Sequence, residues 1–287
     1  ITMISIAGWG LEGPYKKMVT LGAGLDATTG HLSLRGYPKG DFVDTHPNFH
    51  SDATGSSTIF FAALTALLQR KKLNKGTFID LSQWEGLVWQ FPSILAEWTM
   101  NQRIPDRLGN NDPHIVPHGA YRTNEDDKWV VLAAEDDEQW KSLCRVIGKN
   151  EWSELTHEYS SIVGRMRGRE EIDVAIESFT QQYDGFSIAE TLQDNNVIAS
   201  PVVTPPDVLL SNQLHERSWH QTITHKWTGP IMVGGFLWNV EPDVLNWDIP
   251  TALVGQHNEE ILNELGFNEE QIAEFYKSRI IGNQYDD

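Results

Sequence analysis

Three groups of residues in this sequence have types and spacings that chemistry could use. The first is Gly8-Trp9-Gly10-Leu11-Glu12-Gly13-Pro14-Tyr15, where three glycines and a proline mark a loop with special backbone geometry. Such a loop can shape a pocket, and it can equally be only a turn. The second is Lys16-Lys17, directly after that loop. A lysine pair could meet the phosphates of an anionic ligand, against the plainer reading of a solvated surface. The third is Ser51-Asp52, just ahead of an apolar stretch. A helix start favours negative charge, but on local pattern alone an aspartate there is an N-cap. His31, His46, His50, His114 and His118 show neither HxxxH nor HExxH spacing, so no metal is expected. His50 lies two residues before Asp52 and is read as a turn residue that could tune its charge.

The elements that must position these residues follow from pattern. Residues 1–7 are rich in β-branched side chains and read as a buried strand. A free terminus rarely starts inside a core strand, so the natural polypeptide is expected to extend upstream, or another chain to supply the missing part. Residues 19–37 are rich in glycine and end at the turn Tyr37-Pro38-Lys39-Gly40. A helix then runs over an apolar stretch at 58–69, with Ser51-Asp52 as its N-cap and Arg70-Lys71-Lys72 at the end where cations suit the dipole. Gly76 turns the chain into a strand at 77–82, and a tryptophan-rich helix at about 83–101 is bent or broken near Pro92. Strand, helix, strand, helix argues for an α/β layer with parallel strands.

The character changes near Pro105. A loop-like stretch leads to a hairpin over 119–134 around the turn Asn124-Glu125-Asp126-Asp127, then helices at about 137–147, 169–183 and 187–195. The strand expected at 199–203 is read as returning toward the first domain. Helices at 258–265 and 268–276 each open with an asparagine cap and acidic first turns.

Composition bounds the function. The chain has 287 residues and a formal charge of −18, so a nucleic-acid partner is not expected. Residues 1–110 carry 10 basic and 9 acidic side chains, whereas residues 111–287 carry 12 and 31. An anionic ligand meets less repulsion near the first third. No apolar run approaches the roughly 20 residues of a membrane helix, and there is no signal-peptide pattern at the start. Cys144 is the only cysteine, which rules out an internal disulfide. A cytoplasmic enzyme fits these features best. The eleven tryptophans are expected in packing or a subunit interface.

Six segments in order resemble class III CoA-transferases, the formyl-CoA, carnitine and bile-acid CoA-transferases among them. They are Ile4-Ser5-Ile6-Ala7-Gly8-Trp9-Gly10 with Gly13-Pro14-Tyr15; Thr29-Gly30 through Gly36-Tyr37-Pro38 and Gly40; and Ser51-Asp52-Ala53-Thr54-Gly55 leading into Ala62-Ala63-Leu64-Thr65-Ala66-Leu67. Then come Arg70 with Gly76-Thr77-Phe78-Ile79-Asp80-Leu81-Ser82; Gly109-Asn110, Pro117-His118-Gly119-Ala120-Tyr121 and Trp129; and Gly255-Gln256-His257-Asn258-Glu259-Glu260-Ile261-Leu262 with Glu264-Leu265-Gly266. No single piece is specific, but six in register are hard to obtain by chance.

The resemblance implies an α/β fold. A Rossmann-like large domain is built from both chain ends, here 1–104 and 201–287, around a smaller α+β middle domain at 105–200. Family dimers are interlocked, and a homodimer or a heteromer with a related subunit is expected. The family has a further segment ahead of the Gly-Trp-Gly loop that supplies much of its CoA site. By register the nucleophilic aspartate falls on Asp52. Gly8, Gly10, Gly13, Lys16 and Lys17 become the expected contacts to CoA. Coenzyme A and acyl-CoA enter as substrates, with a carboxylic acid as the other partner and no permanently bound cofactor. The family commonly has an acidic residue near positions 21–22, where this sequence has Leu21 and Gly22. α-Methylacyl-CoA racemase, a relative that pairs a His with the Asp, is the alternative enzyme. Leu21 stands where that His would be, and an aliphatic side chain cannot shuttle a proton. A non-catalytic subunit or fragment is the third reading.

Overall fold

The computed structural model describes residues 1–40, 49–243 and 245–284. His46 lies outside the described residues. The chain divides into two compact units, Ile1–Val202 and Val203–Asp287.

In the first unit, β1 (Thr2–Ala7) pairs in parallel with β2 (Thr77–Ser82), in register from Thr2 with Thr77 to Ala7 with Ser82. The connection carries α1 (Gly22–Thr28), α2 (His31–Leu34) and α3 (His50–Leu73). The parallel α/β expectation therefore holds for this pair. Burial differs from expectation: β1 is only half-buried in this chain, with Met3 60% exposed. The 24-residue α3 begins eight residues before the expected 58–69 stretch. Its N-cap position is occupied by Phe49, in left-handed backbone with φ 51° and without a side-chain cap. Ser51 and Asp52 lie inside the first turn, which corrects the expectation that they cap the helix. At the far end Asn74 takes the left-handed conformation, and its N–H donates to the Arg70 carbonyl at 2.8 Å, the usual asparagine stop. After β2 the expected bent helix is two helices, α4 (Gln83–Val88) and α5 (Pro92–Asn101), with Pro92 at the start of the second where its missing N–H costs nothing.

The rest of this unit has a three-stranded antiparallel sheet in the order β3 (His118–Arg122), β4 (Trp129–Ala133), β5 (Ile198–Val202). The hairpin falls where the sequence puts it. β5 does not return toward β1 and β2; it pairs antiparallel with β4, Val131 opposite Ser200. Helices α6 (Asp137–Val146), α7 (Ile162–Arg167), α8 (Arg169–Thr180) and α9 (Gly185–Asp194) follow the hairpin. Three of them open on side-chain caps, Asp136, Ser161 and Asp184, each accepting an N–H three residues on. Trp140, Leu143, Ile172, Ile176, Ile188 and Leu192 on these helices pack with Val130 and Leu132 of β4 into one closed core. Arg165 is buried against Trp140 and paired with Asp137 at 2.8 Å. Cys144 is buried in the same core, where desolvation pushes its thiol up to about 12.

The second unit holds α10 (Pro205–Leu209), α11 (Asn212–Glu216), the antiparallel hairpin β6 (His220–His225) and β7 (Gly229–Gly234), then α12 (Asn258–Glu264) and α13 (Glu269–Lys277). Asn268 caps α13 through a full capping box with Gln271, as its sequence suggests. The same expectation fails for Asn258. The N-cap position of α12 is His257, and the Asn258 amide instead donates to the Gly282 carbonyl at 3.0 Å. No helix among the described residues is long and apolar enough to cross a membrane.

Candidate functional site

Parallel strands present the loops at their carboxyl ends as a natural ligand site. β1 ends in the Gly8–Gly13 loop, and β2 ends at Ser82, directly before Gln83. Two bonds tie the loop to β2 and α4: the Leu11 N–H donates to Asp80 Oδ2 at 2.9 Å, and the Trp84 N–H donates to the Gly8 carbonyl at 2.8 Å. Gly10 is buried with φ +80°, a conformation that favours glycine, and a side chain there would point at the Asp80 carboxylate. Ser82 caps α4 by accepting the Glu85 N–H, which sets Gln83 at the first helical position.

Between these ends lies a cavity of about 340 Å³, lined by Gly8, Leu21, Gly22, Leu25, Asp52 and Gln83 among others. Asp52 sits in the first turn of α3 and is exposed to solvent. Its backbone N–H donates to the Phe49 carbonyl at 3.0 Å. Its side chain serves no cap; Oδ1 accepts from Gln83 Nε2 at 2.9 Å. This separates the two roles that compete for a helix-start aspartate: the carboxylate is turned to the cavity instead of onto its own amides. Ser51 does not cap either. It is fully buried, and its hydroxyl finds no hydrogen-bond partner among the described residues. A side chain at position 22 would begin 3.3 Å from Asp52 Oδ2 and 2.5 Å from the Phe49 ring, so Gly22 leaves the second oxygen its opening.

Of the sequence-predicted site residues, Asp52 and Gly8 meet at this cavity. Gly10 holds the loop conformation behind it. Gly13 has open space around its Cα, and Lys16 and Lys17 are exposed on the following turn; none of these three lines the cavity. His50 opens α3 and sets its ring edge-on to His31 at 4.8 Å, while His31 stacks on Phe91. Burial, then the charges of Arg35 and His50, lower the His31 pKa below its ordinary value and keep that ring neutral at neutral pH. Gln83 was not foreseen. The signal that could have found it is its place directly after the carboxyl end of a parallel strand.

Two other cavities differ in kind. Gly109, Asn110, His118, Gly119 and Ala120 line an apolar groove of about 360 Å³ with residues of β4 and β5. A cavity of about 370 Å³ in the second unit is lined by Arg217, Phe236 and Trp238 among others. Neither these nor a cavity of about 400 Å³ lined by Ile223, Trp247 and Ile249 among others contains a side chain that the sequence assigns to chemistry, and the Asp52 cavity is the candidate site on that ground.

The profile of CoA-transferase family III matches residues 1–258. This chain belongs to CoA-transferase family III. Members of family III are enzymes that transfer coenzyme A. Succinyl-CoA–D-citramalate CoA-transferase from Chloroflexus aurantiacus is 25% identical over 98% of this chain and 69% of its own length. Human succinyl-CoA:glutarate CoA-transferase is also 25% identical, over 98% of this chain and 64% of its own length. The chain thus spans about two thirds of these family III relatives. A crystal structure of a CAIB/BAIF family protein from Brucella suis superposes with a TM-score of 0.78 at 21% identity, covering 92% of this chain and 68% of that one. The family III fold, mixed in helix and sheet, is therefore shared.

Proposed function

We propose that the protein to which this chain belongs moves coenzyme A from an acyl-CoA to a carboxylic acid, with Asp52 as the nucleophile. The observation that carries the reading is the uncapped Asp52 carboxylate facing a cavity at the carboxyl ends of two parallel strands. An Asp52 oxygen attacks the thioester carbonyl, and the C–S bond breaks to give an aspartyl mixed anhydride and CoA thiolate. The thiolate attacks the aspartyl carbon of that anhydride, releasing the donor acid and leaving CoA on Asp52 as a thioester. The acceptor acid attacks in turn, and the steps run in reverse. Covalent catalysis divides one difficult exchange into easier ones, and the positive end of the α3 dipole faces the charge that builds on the way.

Small residues suit this use. Gly8 and Gly22 leave room for a bulky thioester beside the carboxylate. Lys16 and Lys17, exposed on the turn after the loop, are the proposed contacts to CoA phosphates. Leu21 lines the same cavity with an aliphatic side chain, which speaks against a racemase using a proton shuttle at that position. Relatives named for succinyl-CoA suggest a dicarboxylic acid as donor and acceptor class. One relative is a succinyl-CoA–L-malate CoA-transferase beta subunit, which keeps a heteromer open beside an interlocked homodimer. The layout of a large domain from both chain ends around residues 105–200 and a cytoplasmic location belong to the same proposal.

The test is mass spectrometry of the full-length protein after incubation with a panel of acyl-CoA thioesters that includes succinyl-CoA, followed by hydroxylamine or borohydride. The expected result is a mass change on the peptide carrying Asp52 that is absent in Asp52→Ala. An adduct on another residue, or transfer activity surviving in Asp52→Ala, would overturn the assignment.

A further inference from the structure

Among the described residues, the Asp52 carboxylate has its hydrogen-bonding side-chain neighbour 31 residues away, on a different element. Gln83 Nε2 donates to Oδ1 at 2.9 Å. The reach is built, because Gly55 lies one helical turn after Asp52 on the same face of α3 and is buried. A Cβ at 55 would lie 3.3 Å from both Gln83 Cγ and Nε2, and 3.1 Å from Ile6 Cδ1. The missing side chain of Gly55 is therefore the slot through which the Gln83 amide crosses α3. The two oxygens of Asp52 are left in unlike surroundings. Oδ1 is held by an amide donor, and Oδ2 faces the space that Gly22 keeps open.

We infer that Gln83 is the positioning residue of the reaction: it presents Oδ2 as the attacking atom and holds the charge that falls on Oδ1 whenever the aspartyl carbon is attacked. The inference rests on Asp52 being the nucleophile. In the first step the Oδ2 pair forms a bond to the acyl carbon, and the C–S pair leaves with sulfur. The thiolate then attacks Cγ, and the Cγ–Oδ1 π pair moves onto Oδ1, within reach of the Gln83 N–H. Collapse restores that π bond and breaks Cγ–Oδ2, so the donor acid departs with Oδ2. On the return the acceptor carboxylate attacks Cγ, again charging Oδ1, and CoA thiolate leaves. The thiolate next attacks the acceptor acyl carbon and frees the Asp52 carboxylate. No proton moves in any step. A neutral amide suits this sequence, because it donates throughout without protonating the carboxylate.

The experiment compares Gln83→Met, equal in reach but without the N–H, and Gln83→Glu, equal in shape but an acceptor. Both are made in the full-length protein and assayed with whichever acyl-CoA labels the unsubstituted protein. The expected result for Gln83→Met is a fall of about 10- to 100-fold in kcat and in the rate of CoA attachment to Asp52, below what loss of a fully enclosed oxyanion donor brings. KM should stay within about threefold, the pattern of an interaction made in the transition state. Gln83→Glu should lose more, since it sets a carboxylate against a carboxylate. Melting temperatures of both variants separate this from a packing defect. Retained kcat in Gln83→Met, or a rise in KM with kcat unchanged, overturns the inference. Asp52→Ala is run beside them. If it still turns over, the nucleophile assignment falls. If it is dead and unlabelled while Gln83→Met keeps its kcat, only the role of Gln83 falls.

Discussion

Two regions of the first unit handle apolar surface in opposite ways. The region of β3–β5 and α6–α9 closes a core of its own, with Trp140, Leu143, Ile172 and Ile176 almost wholly removed from solvent. The region of β1, β2 and α3 leaves much of its apolar surface uncovered in this chain; Phe60 and Phe61 on α3 are 67% and 72% exposed. The candidate nucleophile belongs to the second kind of region. Packing is complete in the first region, and the proposed chemistry sits in the second, where the Asp52 side chain is held by a directed hydrogen bond. Substitutions in the two regions should therefore separate activity from stability.

The largest contrast sets Asp52→Ala against Trp140→Ala. Asp52→Ala should lower kcat by at least about 10³-fold, as loss of a covalent nucleophile does, with little change in unfolding free energy. Trp140→Ala should cost about 3–5 kcal/mol in urea unfolding through the cavity it leaves, with kcat per folded molecule kept. Activity lost in proportion to folded protein in both variants would erase the distinction.

Next is Gly55→Ala. An alanine inside a helix ordinarily gains about 0.5–1 kcal/mol over glycine. Here the added methyl meets Ile6 and Gln83 at 3.1–3.3 Å, so that gain should vanish and kcat should fall with the displaced amide. Combining Gly55→Ala with Gln83→Met should cost less than the two effects added, because both act on one hydrogen bond. Additive losses would mean that Gly55 matters for packing alone.

The smallest effect is one of pH, and it belongs to the packed region. Asp173 on α8 accepts the Tyr121 hydroxyl at 2.7 Å, yet burial outweighs that bond and raises its pKa above the ordinary carboxylate value. A raised folded-state pKa contributes stability below the unfolded pKa, and that contribution is lost as pH rises through the folded one. Asp173→Asn should flatten this fall in melting temperature above about pH 4, the usual carboxylate range. An unchanged slope would show that Asp173 does not titrate differently in the folded state.

The same two regions differ in how legible they are. The packed one reads well from sequence where the signal is local, as in the turn Asn124-Glu125-Asp126-Asp127 that places the hairpin. Its misreadings were the short α7, which the sequence reading left out, and β5, since pairing with β4 is a long-range choice that a strand pattern does not contain. Around the site, local signals misled. Ser51-Asp52 looks like a cap, but the left-handed Phe49 starts the helix earlier and frees the carboxylate. Asp52 was reached through the register of six segments, not through its own pattern. Gln83 stayed hidden because its meaning lies in a contact across 31 residues and in the absent side chain of Gly55.

The parallel register of β1 with β2 bears on how this site comes into being. Gly8, Asp52 and Gln83 meet only after β1 pairs with β2, Ala7 opposite Ser82, a closure with all of α1 to α3 inside the loop. Contacts so distant along the chain form late, since the entropy of closure precedes any return from packing. During synthesis Asp52 leaves the ribosome well before Gln83 does, so the nascent chain carries an unaimed carboxylate until β2 docks. The proposed catalytic arrangement is thus expected late in folding, and activity should appear in refolding no earlier than the pairing of these strands.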